Sequence, residues 1–157
     1  MPEIRPDRLG DHPTAPTDSW EYCLYIPNDP RAVTVSRRTL RLVLTLHGLI
    51  GLVDTAELLA AELVGNAVRY QKGPAALRVR WREGVLRIGA WDADPEPPEP
   101  PEPPRRFEEL EGAEEGRGLA LVRACSDLWG WQPLSRFGNR GKVVWCEIGV
   151  PGTRTPV

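Results

Sequence analysis

The sequence predicts an α/β protein: a two-layer sandwich in which a mixed or antiparallel sheet is covered on one face by three helices. Three observations predict it. Runs rich in branched and aromatic residues alternate with runs of helical periodicity, in the order strand, helix, helix, two strands, loop, helix, two strands. Turn signals built on glycine, proline and asparagine separate most of these runs. The 157 residues suffice for one domain with its own core plus tails.

Residues 1–18 are rich in Pro, Asp and Thr without apolar periodicity, and read as a flexible tail. The domain is expected over 19–150. Its first strand is Trp20–Ile26, aromatic and branched, stopped by Pro27 and the turn-forming Asn28-Asp29-Pro30. From Arg31 to about Leu46, apolar residues recur at Val35, Leu40, Val43, Leu44 and Leu46, which predicts an amphipathic helix ending before Gly48. Asp54 or Thr55 can cap the second helix, which runs to about Tyr70 and stops before Gly73-Pro74.

Ala76–Trp81 and Val85–Trp91, joined at Glu83-Gly84, read as a β-hairpin. The tract PEPPEPPEPP at 95–104 can be neither helix nor central strand, because seven prolines remove donors and fix φ. A polyproline-like loop is expected there, as part of a lid at 95–113. Gly116 and Gly118 open a third helix running to about Asp127. Strands near Leu128–Leu134 and Lys142–Val150 flank the turn at 137–141, and 151–157 form a second tail.

Composition excludes several classes. A net charge of −2 argues against an electrostatic nucleic-acid binder. No apolar run is long enough for a membrane span, and the N-terminus lacks the apolar core of a signal peptide, so a cytoplasmic protein is expected. Cys23, Cys125 and Cys146 are odd in number and flanked by apolar residues, and are expected to be buried thiols. With only His12 and His47, no Cys/His pair has zinc-ligand spacing. The six tryptophans are expected mainly in the core rather than as base-stacking platforms.

The candidate chemistry lies around the second helix. Its apolar face carries Leu59, Ala60, Leu63, Val64, Ala67 and Val68, with Glu62, Asn66 and Arg69 on one polar edge. Glu62 and Asn66 are four apart and therefore neighbours. A carboxylate and an amide so placed can act as general base and metal ligand, but also read as a solvent-facing Glu beside a half-buried Asn. Asp92 ends a strand and can accept from a ligand N–H, or simply start a turn. Gly116-Arg117-Gly118 precedes a helix, where backbone N–H groups can cradle an anion, although a lone Gly-x-Gly says little.

Taken together, Glu62-x-x-x-Asn66-Ala67 on a helix, Asp92 ending a later strand, a lid-like loop, Gly116-x-Gly118 opening a helix, and the final Gly141-Lys142-Val143-Val144-Trp145 strand resemble the GHKL ATPases over about residues 20–149. Among these, the short form without a His-bearing dimerisation helix looks like the anti-sigma-factor serine/threonine kinases. The resemblance implies a Bergerat-type ATP-binding fold with ATP and Mg²⁺ as cofactors. It implies that Asn66 coordinates Mg²⁺ and that Glu62 accepts the proton of a partner's hydroxyl. Asp92 would bind the adenine amino group, and Gly116, Arg117 and Gly118 would approach the phosphates. Arg69, Arg105 and Arg106 are further candidate phosphate contacts. The implied partners are a sigma factor, an anti-anti-sigma (STAS-type) protein, or both, with a homodimer compatible and no direct contact to nucleic acid or membrane.

Four positions depart from that pattern. The family's Asp-x-Gly-x-Gly loop reads here Asp92-Ala93-Asp94-Pro95-Glu96, which puts a carboxylate where backbone should approach a polyanion. Tyr70 stands where a histidine often follows the asparagine, and Val143 where a threonine often helps hold adenine. Glu114 and Glu115 precede the Gly-x-Gly where the kinases can have an arginine. Two further functions stay open. One is a degenerate member that sequesters its partner without phosphorylating it. The other is a role for the Pro-Glu tract as ligand of a proline-recognising domain.

Overall fold

The computed structural model describes residues 18–70, 74–98, 122 and 125–149. β1 (Trp20–Ile26) leads to α1 (Arg31–Leu46), a 3₁₀ turn (Ile50–Leu52) and α2 (Val53–Tyr70). The hairpin β2 (Ala75–Arg82) and β3 (Val85–Asp92) follows, and β4 (Leu128–Pro133) and β5 (Lys142–Gly149) complete the described chain. The strands form one sheet in the order β1-β2-β3-β5-β4, antiparallel throughout.

The expected α/β sandwich is what the chain forms, with two α-helices among the described residues. The expected third helix lies almost wholly outside them. Val122 and Cys125 alone are described there, both in helical conformation, with the Ser126 amide donating to the Val122 carbonyl at 3.0 Å. The second helix starts earlier than the expected cap at Asp54 or Thr55. The 3₁₀ turn runs straight into Val53, so Asp54 lies in the first turn, where its charge opposes the positive helix end.

Local chemistry explains three of the boundaries. At the start of α1, the Asp29 carboxylate accepts from the Arg31 amide at 2.9 Å and doubly from its guanidinium. At its end Gly48 takes φ +75°, which lets the Leu49 amide reach the Leu44 carbonyl at 2.8 Å, a Schellman closure. Glu83 and Gly84 (φ 51° and 78°) make the tight two-residue turn that matches strand twist.

The strands alternate as a sheet covered on one side requires. On β3, Leu86, Ile88 and Ala90 face the helices, and on β5, Val144, Cys146 and Ile148 do so. α2 packs over β3, β2 and β5 through Ala56, Leu59, Ala60, Leu63, Val64 and Ala67, and α1 packs on α2 through Leu40 and Leu44. A bidentate pair from Arg41 to Glu57 (2.6 and 3.0 Å) ties the two helices at the surface.

Of two composition-based expectations, the one on cysteines is corrected and the one on tryptophans holds for most of them. Cys146 is buried, with its thiol pushed up to about 12 by desolvation, but Cys23 is exposed because it falls on the uncovered face of edge strand β1. Among the tryptophans, Trp81 belongs to the helix-side core and Trp20 and Trp129 pack against it. Trp91 is buried under the opposite face, against Phe137, and Trp145 lies on that face too. Among the described residues no helix is long and apolar enough to cross a membrane.

Candidate nucleotide site

Of the residues singled out in the sequence, Glu62, Asn66 and Asp92 are described, and they lie toward one end of the sandwich. Antiparallel pairing sets Ile26, Ala75, Asp92, Lys142 and Pro133 side by side in a single row across five strands. β2 begins five residues after α2 ends, so this row lies at the end of the sheet reached by the C-terminal half of α2. Glu62 and Asn66 stand in that half, both part-buried, on the edge of the face that buries Leu59, Leu63 and Ala67. Arg69 belongs to the same helix, and nothing of its side chain is described. Gly116, Arg117, Gly118, Arg105, Arg106, Glu114 and Glu115 lie outside the described residues, as does the lid beyond Pro98.

Asp92 is the best-defined group of the site. It shares the helix-facing side of β3 with Leu86, Ile88 and Ala90 and is only 6% exposed. Its Oδ1 accepts from Lys142 Nζ at 3.0 Å and from the Asp94 amide at 3.0 Å. Burial raises the Asp92 carboxyl above its ordinary value, and the hydrogen bond from Lys142 partly offsets that. The hydrogen bonds to its carboxylate fall on Oδ1, and a carboxylate offers about four acceptor positions. Among the described residues no hydrogen bond reaches Oδ2.

Lys142 is the group beside Asp92 that the sequence reading did not single out. The register sets it directly opposite Asp92, whereas Val143 faces the uncovered side opposite Trp91. The place across from the aspartate is thus held by Lys142 and not by Val143. A signal existed: Lys142 shares parity with the core-facing Val144, Cys146 and Ile148, and is one of only two lysines in the chain. Its ammonium also donates to the Asp94 carbonyl at 3.1 Å and lies 3.8 Å from the Asp94 carboxylate.

This changes the meaning of Asp94. In sequence it is an intrusive charge in a loop that should carry glycine. In the structure its charge is opposed by Lys142, and its Oδ1 accepts from the Glu96 amide at 3.0 Å. Two successive Asx-type turns, Asp92 to Asp94 and Asp94 to Glu96, then fix the start of the loop. The departure at Asp94 is thus compensated in charge by Lys142.

Gly141 is the one glycine this arrangement demands. A Cβ there would stand 2.1 Å from the Asp92 carbonyl oxygen and 2.8 Å from the Trp91 ring, so only glycine lets β5 start against the end of β3. Among the described residues no three His, Cys, Asp or Glu side chains gather as a metal cage.

With this geometry in place, comparison with known proteins is informative. The model of the histidine kinase-like ATPase domain family matches residues 26–147. No curated protein matches the chain.

Proposed function

The chain belongs to the histidine kinase-like ATPase domain family, and from that premise we propose that it is a cytoplasmic ATP-binding regulator of the anti-sigma-factor kinase kind. In this reading it passes a phosphoryl group to a serine or threonine of a partner, holds a sigma factor, or does both. The partner that accepts the phosphoryl group is of the anti-anti-sigma, STAS-type class. One observation carries the reading: a buried Asp92 at the strand end under the helices, with no hydrogen bond to its Oδ2 among the described residues.

The roles are those that the family resemblance implies. Asp92 Oδ2 takes the adenine amino group, and Lys142 keeps the aspartate oriented by holding its other oxygen. Asn66 supplies an amide oxygen to Mg²⁺, which needs few protein ligands where phosphates provide the rest. Glu62, one helical turn before it, accepts the proton of the partner's hydroxyl. Bound ATP with Mg²⁺ supplies the activated phosphoryl group and neutralises its charge. The chain's own contribution is positioning.

Calorimetric titration with ATP, with and without Mg²⁺, tests this reading. Mg²⁺-dependent binding is expected, weakened about tenfold or more by Asp92→Asn, which removes a charged hydrogen-bond acceptor. Glu62→Gln is expected to keep ATP affinity while losing transfer of phosphate to the partner. Absence of binding at millimolar ATP would sink the proposal.

One observation favours a second reading, partner sequestration without catalysis. Lys142 and Asp94 crowd the strand end where the resemblance implies open backbone. That reading expects partner capture that is unchanged when ATP is omitted.

A further inference from the structure

On the sheet face away from the helices, arginines converge. Arg78 and Arg80 of β2 and Arg87 of β3 line a recess of about 50 Å³ together with Gln132, Leu134 and Trp145. The strand register orders the row beside it as Glu21, Arg80, Arg87, Glu147. The two carboxylates are already engaged. Glu21 pairs diagonally with Arg78, and Glu147 accepts from Arg87 Nε at 2.8 Å.

Arg80 is left between them, part-buried, with no ion pair to a described carboxylate and with Arg87 directly across the strand pair. Burial, followed by repulsion from Arg87 and Arg82, holds its guanidinium below the usual arginine value. This is a cation whose surroundings call for an anion.

We propose that this recess is a docking site for an acidic segment of a partner protein, which seats a carboxylate side chain on Arg80. Charge complementarity favours that occupant. Among the described strand residues, Arg78, Arg80, Arg82 and Arg87 share this face with only Glu21 and Glu147, although the whole chain carries a net charge of −2. A planar guanidinium presents a fork that a carboxylate matches with two hydrogen bonds.

The recess holds a few water volumes, enough for a carboxylate. The Trp145 ring that lines it is not free to stack on a base, because the Arg87 guanidinium covers it at 4.1 Å from its centroid. A second copy of this face would bring arginines against arginines. The site lies on the opposite side of the sheet from Asp92, so the proposal does not rest on the nucleotide-site reading.

The test titrates the full chain with a capped hexaglutamate peptide, following the Trp145 indole N–H by NMR and the affinity by calorimetry. Binding should shift that resonance and weaken about tenfold between about 20 and 200 mM salt. Arg80→Gln should weaken it at least about fivefold, and Glu147→Gln, which releases Arg87, should strengthen it. The strengthening is a response that a merely structural role for Arg80 would not give. Equal affinity in wild type and Arg80→Gln would overturn the proposal. So would a stronger Trp145 shift with a ten-residue oligothymidine, or the same shift and affinity with inorganic phosphate alone.

Discussion

The two faces of the sheet are made by the same strands and follow opposite rules for charge. Under the helices, the strand positions are apolar from Leu86 to Ala90 and from Val144 to Ile148, until Asp92 and Lys142 close the row. There each charge is 8% exposed in its side chain, and it is stable only because the partner is held at 3.0 Å by strand register. On the uncovered face, Arg78, Arg80, Arg82 and Arg87 outnumber Glu21 and Glu147 without disrupting the strands, because water still reaches them. Residue type does not decide whether a charge must be paired; the side of the sheet does.

Changes on each face test that contrast. The largest effect is expected from Trp81→Ala, which empties a fully buried site on the helix side and should cost about 4 kcal/mol in urea unfolding. A loss under about 1 kcal/mol would mean that this face is less tightly packed than described. Lys142→Met should cost about 3 kcal/mol, because it strands the buried Asp92 charge, and the double change with Asp92→Asn should recover part of it. If Lys142→Met is neutral, the pair is solvated and the contrast between the faces fails.

On the open face Gly130→Ala should cost about 2 kcal/mol. Its Cβ would meet the Trp145 ring at 2.7 Å and lift the indole that Arg87 covers, which near-ultraviolet circular dichroism would register.

The smallest effects are expected in pH dependence, where opposite signs sharpen the comparison. Asp29, at the surface, is lowered to about 2 by its hydrogen bonds with Arg31. Its folded value is below its unfolded one, so its contribution is present above about pH 4. It is lost as pH falls toward 2. Asp92 is raised by burial, so the folded state holds its proton longer and stability declines as pH rises through its elevated value. Urea midpoints from pH 2 to 7 should show a shallower acid slope in Asp29→Asn and a flatter rise-side profile in Asp92→Asn. Identical profiles in all three proteins would remove both assignments.

Much of this architecture was legible along the chain. Trp20–Ile26 and Arg31–Leu46 form where aromatic-branched content and helical periodicity place them, because both signals are local and bounded by Pro27, Asp29 and Gly48. The Glu83-Gly84 turn was equally legible, since few dipeptides tolerate two positive φ values. The start of α2 was not, because the 3₁₀ turn from Ile50 supplies an entry that no capping residue announces.

At the site, the sequence alone determined the candidates: Glu62 and Asn66 one turn apart on a helix edge, and Asp92 at a strand end. Their types and spacing are properties of the chain itself. Only the tertiary structure decided that Lys142, fifty residues beyond Asp92, is the group opposite it, that Asp94 is thereby compensated, and that Arg80 lies among arginines on the far face. Those facts depend on strand order and register. A shift of one residue would turn every side chain to the other face, and which register forms is fixed by the fit of the whole core rather than by any local run of residues.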